Sequence, residues 1–404
     1  MHREHIDLTD PGNFLAGVPH AWLRELRRED PVYWHPEANG PGFWCVTRHD
    51  DLRFVSRSPE LFSSEQAGTA LRDPEDAEAL MRSRAIMLNM DPPKHVKYRR
   101  IVQRGFTPNM IAAQRPYLED LARRIVDPVA RKGECEFVAE LACELPLQVI
   151  CEMMGVPQEE RHRIFDLTNT MIGADDPDFA SSRDDGKRAG EEIFGYAHQL
   201  AQRYKQHPAD NLTSRLLRAE LEGEALSDLD FCSFFLLLLI AGNETTRTVT
   251  VNGFRTLLEH PEQLRRLVED PSLIPGAVEE ILRYEPAVIH FRRTATEDVA
   301  LRGKKIRRGD KVLIWYPSAN RDEQVFAEPD RFDITRRENP HLAFGIGEHY
   351  CLGANLARLE LQVIFGEITR RLREPALLAE PRRLRSNFIN GVKEMRVGFR
   401  PEAA

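Results

Sequence analysis

A single cysteine lies in a glycine-rich loop near the C-terminal end of the chain. Cys351 follows Gly345 and Gly347 and precedes Gly353, and an amphipathic helical pattern begins at Asn355. Glycine lets a backbone approach another group closely, and a cysteine just before a helix start gains thiolate character. A thiolate held on such a loop can be the axial ligand of a haem iron. For an isolated cysteine, the alternative is a buried structural residue in an ordinary turn.

A second chemical pattern interrupts an apolar run. Residues 234–241 are apolar throughout, and Gly242, Glu244, Thr245 and Thr246 follow directly. An apolar run on every side predicts a buried helix, where glycine and unpaired polar groups are costly. A threonine hydroxyl can bond the carbonyl one turn back and distort the helix. The pattern predicts a groove for a diatomic ligand beside an acid and an alcohol, whereas close helix packing explains the glycine alone.

A pair of cationic residues follows the two prolines at 92–93. His95 and Arg99 lie one helical turn apart and therefore share a face, where they can clamp a carboxylate. A solvated basic helix end is the alternative. The same helix is also rich in cations, which form either a docking face for an acidic partner or a solvated surface; these are Lys94, Lys97, Arg100 and Arg104.

Together these motifs resemble the cytochrome P450 family, in particular the spacing Phe-x-x-Gly-x-x-x-Cys-x-Gly that ends at Gly353. The resemblance implies a mainly α fold with smaller β-sheets (α+β), with a long central helix over a haem b and the cysteine loop beneath it. It implies that Cys351 binds the iron and that Glu244 and Thr245 deliver protons. The residues implied to bind the haem are His95, Arg99, Ala241, Arg293, Phe344, His349, Cys351 and Gly353.

The resemblance also assigns a framework and a substrate wall. It implies that Glu280 and Arg283 form a buried pair, joined by Arg331 from the Pro-x-Arg-Phe element, which holds the cysteine loop in place. His290 either meets a polar substrate group or points to the surface. The side chains implied to line the substrate cavity are Leu237, Leu238, Val288, Ile289 and Phe291.

Residue patterns predict the surrounding elements. Residues 14–28 have the spacing of an amphipathic helix, and strand-like runs at 32–34 and 43–47 predict a hairpin. Residues 62–88 lack a regular pattern, and 386–399 predict a C-terminal hairpin. We expect one domain over residues 1–404, with β-rich parts near 30–60, 290–320 and 380–400.

Composition narrows the class of protein. The chain has 404 residues, 42% of them hydrophobic, and a net charge of −8, which argues against nucleic acid as a partner. The N-terminus has no apolar segment typical of a signal peptide or membrane anchor, and the run 231–242 is too short to span a bilayer. Six cysteines without a Cys-x-x-Cys pair argue against zinc-ribbon and thioredoxin sites. We expect a cytoplasmic protein.

The resemblance covers essentially the whole chain and leaves no flavin or ferredoxin domain. It implies that NAD(P)H electrons arrive through a separate ferredoxin reductase and ferredoxin, and that O2 is used to hydroxylate an unactivated C–H of a hydrophobic substrate. A finer resemblance is to actinobacterial enzymes that hydroxylate the side-chain terminus of sterols or branched isoprenoids. The motifs that carry it lie at 43–44, 87–91, 104–108, 241–247 and 349–351. The alternatives are a fatty-acid or terpenoid hydroxylase, an H2O2-driven peroxygenase, and a non-enzymatic haem sensor or carrier.

Overall fold

The computed structural model describes residue 3, residues 5–221 and residues 224–403. It is mainly helical with several small sheets, which confirms the expected α+β class. The α-helices are α1 (His20–Glu29), α2 (His49–Arg57), α3 (Ala77–Ala85), α4 (Lys94–Gln103), α5 (Pro108–Ala113), α6 (Arg115–Ala130), α7 (Glu144–Met154), α8 (Arg161–Ile172), α9 (Arg183–Gln206), α10 (Leu212–Leu217), α11 (Asp228–Glu259), α12 (Pro261–Glu269), α13 (Ile274–Tyr284), α14 (Tyr316–Ala319) and α15 (Ala354–Arg371).

The strands are short and form sheets of two to five strands. Their bounds are β1 (Val32–His35), β2 (Phe43–Val46), β3 (Phe62–Ser63), β4 (Glu134–Glu136), β5 (Glu220–Leu221), β6 (Glu224–Ala225), β7 (His290–Ala295), β8 (Val299–Leu301), β9 (Lys304–Ile306), β10 (Lys311–Trp315), β11 (Arg373–Leu377), β12 (Arg382–Arg383), β13 (Val392–Glu394) and β14 (Arg396–Arg400).

Helix α11 passes through the centre of the largest hydrophobic cluster. Its start is fixed by a capping box, in which Ser227 and Asp230 satisfy each other's backbone N–H groups. The helix is long and apolar enough to cross a bilayer, but 61% of its most apolar window is buried inside the protein. Its apolar character is therefore that of a core helix.

The largest sheet has the strand order β1-β2-β10-β7-β3. β1 and β2 form the expected antiparallel hairpin, β2 pairs with β10 in parallel, and β7 pairs antiparallel with β10. Because side chains alternate along a strand, Phe291 and Arg293 of β7 point to one side, and both line the central cavity described below.

Three local expectations were wrong. The first amphipathic helix begins at His20 rather than at residue 14. The segment 62–88 contains α3, whose start is capped by the Asp76 carboxylate accepting the N–H of Ala79. The C-terminal segment forms no self-contained hairpin, because β13 pairs with β12 whereas β14 lies between β11 and β4. Such long-range pairing leaves no local signal.

The buried framework pair is present, but its third arginine differs from the expected one. Glu280 and Arg283 have fully buried side chains joined by two hydrogen bonds of 2.8 Å. Arg336 reaches the Glu280 carboxylate at 3.1 Å. The Arg331 side chain is 58% exposed and pairs with Glu328, so the assignment of Arg331 to this cluster was wrong. Only the backbone carbonyl of Arg331 takes part, as an acceptor from Arg283.

We expect Glu280→Ala to destabilise the fold by about 3–5 kcal/mol, because it leaves the Arg283 charge buried without a partner. Urea unfolding of haem-loaded protein, or failure of the variant to accumulate with haem, measures this effect. Arg336→Ala should also destabilise the protein, whereas the control Arg331→Ala should stay within about 0.5 kcal/mol of the unaltered protein. Equal losses for the two arginine variants would contradict the revised assignment.

Candidate functional site

A central cavity lies between α11 on one side and the cysteine loop with the start of α15 on the other. The backbone N–H of Cys351 donates to the carbonyl of Phe344 at 2.8 Å, which folds the loop back on itself. Gly345 and Gly347 adopt positive φ angles of 69° and 78°, which a side chain would strain. Gly353 borders the cavity, and a Cβ there would meet no atom within 4 Å.

The Cys351 thiol is not activated by the protein alone. Burial raises its pKa, and this effect outweighs the hydrogen bond from the Gly353 N–H and the nearby positive charges of Arg99 and Arg358. The expected thiolate character from the following helix is therefore too weak by itself. A metal cation beside the sulfur would supply the missing stabilisation of the thiolate.

Four cationic or potentially cationic side chains line one part of the same cavity, namely His95, Arg99, Arg293 and His349. The rings of the two histidines lie 4.2 Å apart, and Arg99 donates to the Tyr350 carbonyl at 2.7 Å. None of the four is ion-paired with a carboxylate in the part of the chain that the structure describes. The structure therefore brings His95 and Arg99, which the sequence spacing had paired, together with Arg293 of β7 and His349 of the cysteine loop.

The electrostatics of this cluster are those of a site for anions. Burial lowers the pKa of His95 to about 4 and that of His349 to about 2, and the positive charges of Arg99 and Arg293 lower both further. Burial also lowers the pKa of Arg99 and of Arg293. His95 Nδ1 is buried without a hydrogen-bond partner. Carboxylates placed here would relieve the repulsion and satisfy the free donors.

Helix α11 presents small and hydroxylated side chains to the cavity. Ala241, Gly242, Thr245 and Thr246 all line it. The Thr245 hydroxyl donates to the Ala241 carbonyl at 2.8 Å, the bond one turn back that the sequence suggested. A Cβ on Gly242 would lie 3.1 Å from Ile150 of α7, so this glycine also permits close helix packing.

Glu244 is placed differently from its expected role. Its carboxylate accepts hydrogen bonds from Arg247 and Thr248 and is 2% exposed. Arg247 is in turn held by the Asn169 side chain at 2.7 Å. The carboxylate is thus committed to a buried ion pair and is directed away from the cavity. To pass a proton towards Thr245 it would first have to leave Arg247.

The apolar wall contains four of the five expected side chains: Leu237, Leu238, Val288 and Phe291. The assignment of Ile289 was wrong, because its side chain packs into a separate cluster with the N-terminal segment and Trp315. Successive residues of an extended segment point to opposite faces, which separates it from Val288.

His290 follows neither alternative that the sequence left open. Its ring is buried between Trp315, at 4.9 Å, and Phe388, at 5.8 Å. Burial lowers the pKa of His290 to about 3, so it is neutral. It meets neither the cavity nor the surface.

Sequence reasoning missed several cavity residues. Val249 lies one turn after Thr245 on α11, and helical periodicity alone could have identified it. Tyr316, Leu282 and Ile150 come from elements distant in sequence and carry no local signal. Glu360, two turns into α15, is the acidic member among the described lining residues.

The residues present fit a haem. A sulfur whose buried thiol lacks stabilisation stands below a groove of small side chains on α11, and the same space is bordered by two arginines without a carboxylate partner and by two histidine rings. An iron porphyrin supplies a metal cation for the first and two carboxylates for the second.

Comparison with known proteins agrees with this geometry. The model of the family described as "Cytochrome P450" matches residues 72–376. The chain belongs to the cytochrome P450 family. It is therefore a haem-thiolate monooxygenase that uses O2 and takes electrons indirectly through redox partners. This excludes the sensor or carrier alternative.

Individual cytochrome P450 relatives are similar over nearly the whole chain. A steroid C26-monooxygenase of Rhodococcus jostii is 41% identical over 98% of this chain and 85% of its own. A methyl-branched lipid omega-hydroxylase of Mycobacterium tuberculosis is 43% identical over 92% of this chain and 89% of its own. A Mycobacterium marinum cytochrome P450 solved in complex with pseudoionone superposes with a TM-score of 0.92, at 36% identity, and 99% of each chain is covered.

Proposed function

We propose that this cytochrome P450 hydroxylates the terminal methyl region of a sterol side chain or of a methyl-branched lipid. The observation that carries the proposal is the wall of the cavity opposite the cysteine loop, which is apolar at Leu237, Leu238, Val288 and Phe291. The relatives named for steroid C26 and for methyl-branched lipid omega positions support it. A chain terminus is the part of such a substrate that enters a narrow apolar cavity most easily.

We further propose the roles of the site residues. A bound haem would supply the oxidising chemistry, and Cys351 would hold its iron. Its carboxylates would be held by His95, Arg99, Arg293 and His349, and Phe344, Ala241 and Gly353 would border it.

Thr245 and Glu244 handle protons in this proposal. The Thr245 oxygen faces the cavity while its O–H is held by the Ala241 carbonyl, so the side chain is oriented for accepting and returning a proton. Glu244 serves as an acid only after its bond to Arg247 opens. The apolar wall excludes water and orients the substrate, since it offers no charged group for the substrate to bind.

The proposed electron donor is a ferredoxin, reduced by a ferredoxin reductase that oxidises NAD(P)H. A groove between α4 and α10 supports this, because it gathers five basic side chains in a protein of net charge −8, and acidic carriers are steered by such surfaces. The basic residues of the groove are Lys97, Arg100, Arg104, Arg215 and Arg218. We also propose that residues 1–404 form one domain and that the protein is cytoplasmic.

The first test concerns the iron ligand. Reduced protein with bound carbon monoxide should absorb well to the red of a histidine-ligated haem, and Cys351→Ser should lose that band because an alcohol is a poor thiolate substitute. Cys143→Ser is the matched control, since Cys143 is buried and its thiol donates to the Ala139 carbonyl as a serine hydroxyl would. Retention of the band in Cys351→Ser would contradict the ligand assignment.

The second test concerns Thr245. In Thr245→Ala, with ferredoxin, reductase and NAD(P)H, product per NAD(P)H should fall and peroxide should rise, since a positioned proton donor is typically worth about 10²–10⁴-fold. Thr250→Ala is the control, because its hydroxyl makes the same bond one turn back, to Thr246 at 2.9 Å, at a buried position away from the cavity.

The Thr245 comparison also separates the alternatives within the enzyme class. A peroxygenase would form product from H2O2 faster than from NAD(P)H, and Thr245→Ala would leave that rate unchanged. Equal loss in Thr245→Ala and Thr250→Ala would mean that both substitutions act on the helix rather than on proton transfer.

The third test concerns the substrate class. Binding is measured in optical titrations, in which a ligand that displaces water from the haem shifts the haem absorption. Sterols and long branched isoprenoids should bind in the micromolar range and at least about tenfold more tightly than camphor-sized ligands, a gap of about 1.4 kcal/mol. Apolar area supplies that gap at about 25 cal/mol per Å². Tighter binding of small monoterpenes or fatty acids would replace the sterol proposal by the alternative hydroxylase.

A variant sharpens the comparison. Val288→Phe replaces a small aliphatic side chain of the apolar wall by a bulky aromatic ring. This change should weaken sterol binding more than binding of a camphor-sized ligand, because only the long ligand needs that space. Ile289→Leu, next in sequence but outside the cavity, is the control and should leave both affinities unchanged.

A further inference from the structure

Tyr316 is a buried phenol that the roles proposed above do not use. It is the first residue of α14, directly after β10, and it is 4% exposed. Its side chain lines the central cavity. Within the part of the chain that the structure describes, its hydroxyl has no hydrogen-bond partner. Because a buried tyrosine hydroxyl usually has one, this hydroxyl indicates a bound group that supplies the acceptor.

The backbone around Tyr316 fixes the place of its ring. The N–H of Tyr316 donates to the carbonyl of Ile289 at 3.0 Å, and its carbonyl accepts the N–H of Asn320 at 2.9 Å. The preceding strand β10 pairs with β7. The ring therefore stands beside β7, where it meets the ring of Phe291 edge to face, with 6.0 Å between the ring centres.

The Tyr316 hydroxyl lies on the cationic side of the cavity. A Cβ on Gly345 of the cysteine loop would be 3.7 Å from the Tyr316 oxygen. Burial raises the pKa of Tyr316 to about 12, and the nearby positive charge of Arg293 only partly opposes this. The phenol is thus protonated at neutral pH and is a hydrogen-bond donor. Arg293 itself donates to the Arg292 carbonyl at 2.8 Å and has no carboxylate partner among the described residues.

Two kinds of bound group have an acceptor for this hydrogen bond, namely a carboxylate of the haem and a polar group of the substrate. The proposed substrate enters with a methyl terminus along a wall that is apolar at Val288 and Phe291. The part of it nearest the iron therefore carries no acceptor. A carboxylate beside Arg293 carries a full negative charge, and hydrogen bonds to charged acceptors are the stronger kind. The position of the hydroxyl thus favours the haem carboxylate.

We propose that Tyr316 is a haem-binding residue, whose hydroxyl donates a hydrogen bond to the haem carboxylate that Arg293 holds. This rests on the role proposed above for Arg293. The phenol differs from the other side chains at this edge because it brings a donor without a positive charge. A further cation here would be costly, since Arg293 already lowers the pKa of His95 and of His349. Tyr316 therefore strengthens haem binding and fixes the carboxylate without adding to that repulsion.

The first experiment measures haem loss and needs no turnover. Haem-loaded ferric protein is mixed with excess apomyoglobin, and transfer of the haem is followed by its absorption. Tyr316→Phe keeps the ring and removes the donor, so it should lose haem about tenfold faster, as expected for one hydrogen bond to a charged group. Tyr204→Phe is the matched control, because the Tyr204 hydroxyl donates to the Gly155 carbonyl at 2.7 Å, on α9 and away from the cavity. Equal rates for Tyr316→Phe and the unaltered protein would overturn the proposal.

The second experiment observes the carboxylate itself. Resonance Raman spectra of a haem protein contain a bending band of the haem propionates, and its frequency depends on their hydrogen bonds. This band should shift in Tyr316→Phe and stay in place in Tyr204→Phe. Faster haem loss from Tyr316→Phe with an unshifted band would mean that the substitution acts on packing, and the proposal would then be wrong.

A third variant separates the role of Tyr316 from that of the haem site as a whole. Arg293→Ala should also lose haem faster than the unaltered protein. If it does so while Tyr316→Phe does not, the haem site stands and the role of Tyr316 alone is refuted. If neither variant changes haem loss or the propionate band, the proposed role of Arg293 fails as well.

Optical titrations decide between the two acceptors. Tyr316→Phe should leave the affinities for a sterol and for a ligand of the same size without a hydroxyl group in the same ratio as in the unaltered protein. A variant that retains its haem and its propionate band but binds only the hydroxylated ligand more weakly would assign the Tyr316 hydroxyl to the substrate. That result would overturn the proposal.

Discussion

The buried ion pair of Glu280 and Arg283 is the constraint on which the position of the cysteine loop depends. Arg283 donates to the carbonyl of Asn320 at 2.9 Å, and the Asn320 side chain accepts the backbone N–H of Leu342 at 2.7 Å. This chain of contacts leads directly to the start of the loop that carries Cys351. Neither buried charge can lose its partner without a large cost in stability. The contacts that run from Arg283 through Asn320 to Leu342 therefore hold the start of the cysteine loop in one place.

The cavity separates charge from apolar surface. Cations gather where the cysteine loop meets α4 and β7, whereas the wall formed by Val288, Phe291 and the first half of α11 carries no charge. The cationic edge alone therefore orients a bound group that carries carboxylates at one edge, and the apolar wall is not needed for this. The wall in turn selects its substrate by area and shape, because it offers no hydrogen-bonding anchor of its own.

Two groups in the cavity are electrostatically incomplete in the protein alone. Burial keeps the thiol of Cys351 protonated, and His349 is neutral because it is buried beside Arg99, Arg293 and His95. The sulfur needs a positive charge nearby, whereas the cluster around His349 needs a negative one. A single iron porphyrin meets both needs, since its iron is a cation and its two carboxylates are anions.

The sequence by itself determined the features that depend only on residues close together along the chain. The apolar run of α11, the hydroxyl bond of Thr245 and the loop around Cys351 are all local, because each needs residues within a few positions of one another. The helix α3 was also local, and its cap at Asp76 was overlooked.

Only the tertiary structure decided which side chains face one another. It replaced Arg331 by Arg336 beside Glu280, turned Ile289 away from the cavity, and committed Glu244 to Arg247. Arg331 and Arg336 have the same chemical type and nearly the same sequence position, as do Val288 and Ile289. Hydrogen-bond partners and burial depend on where other elements pack, and a linear pattern does not contain that information.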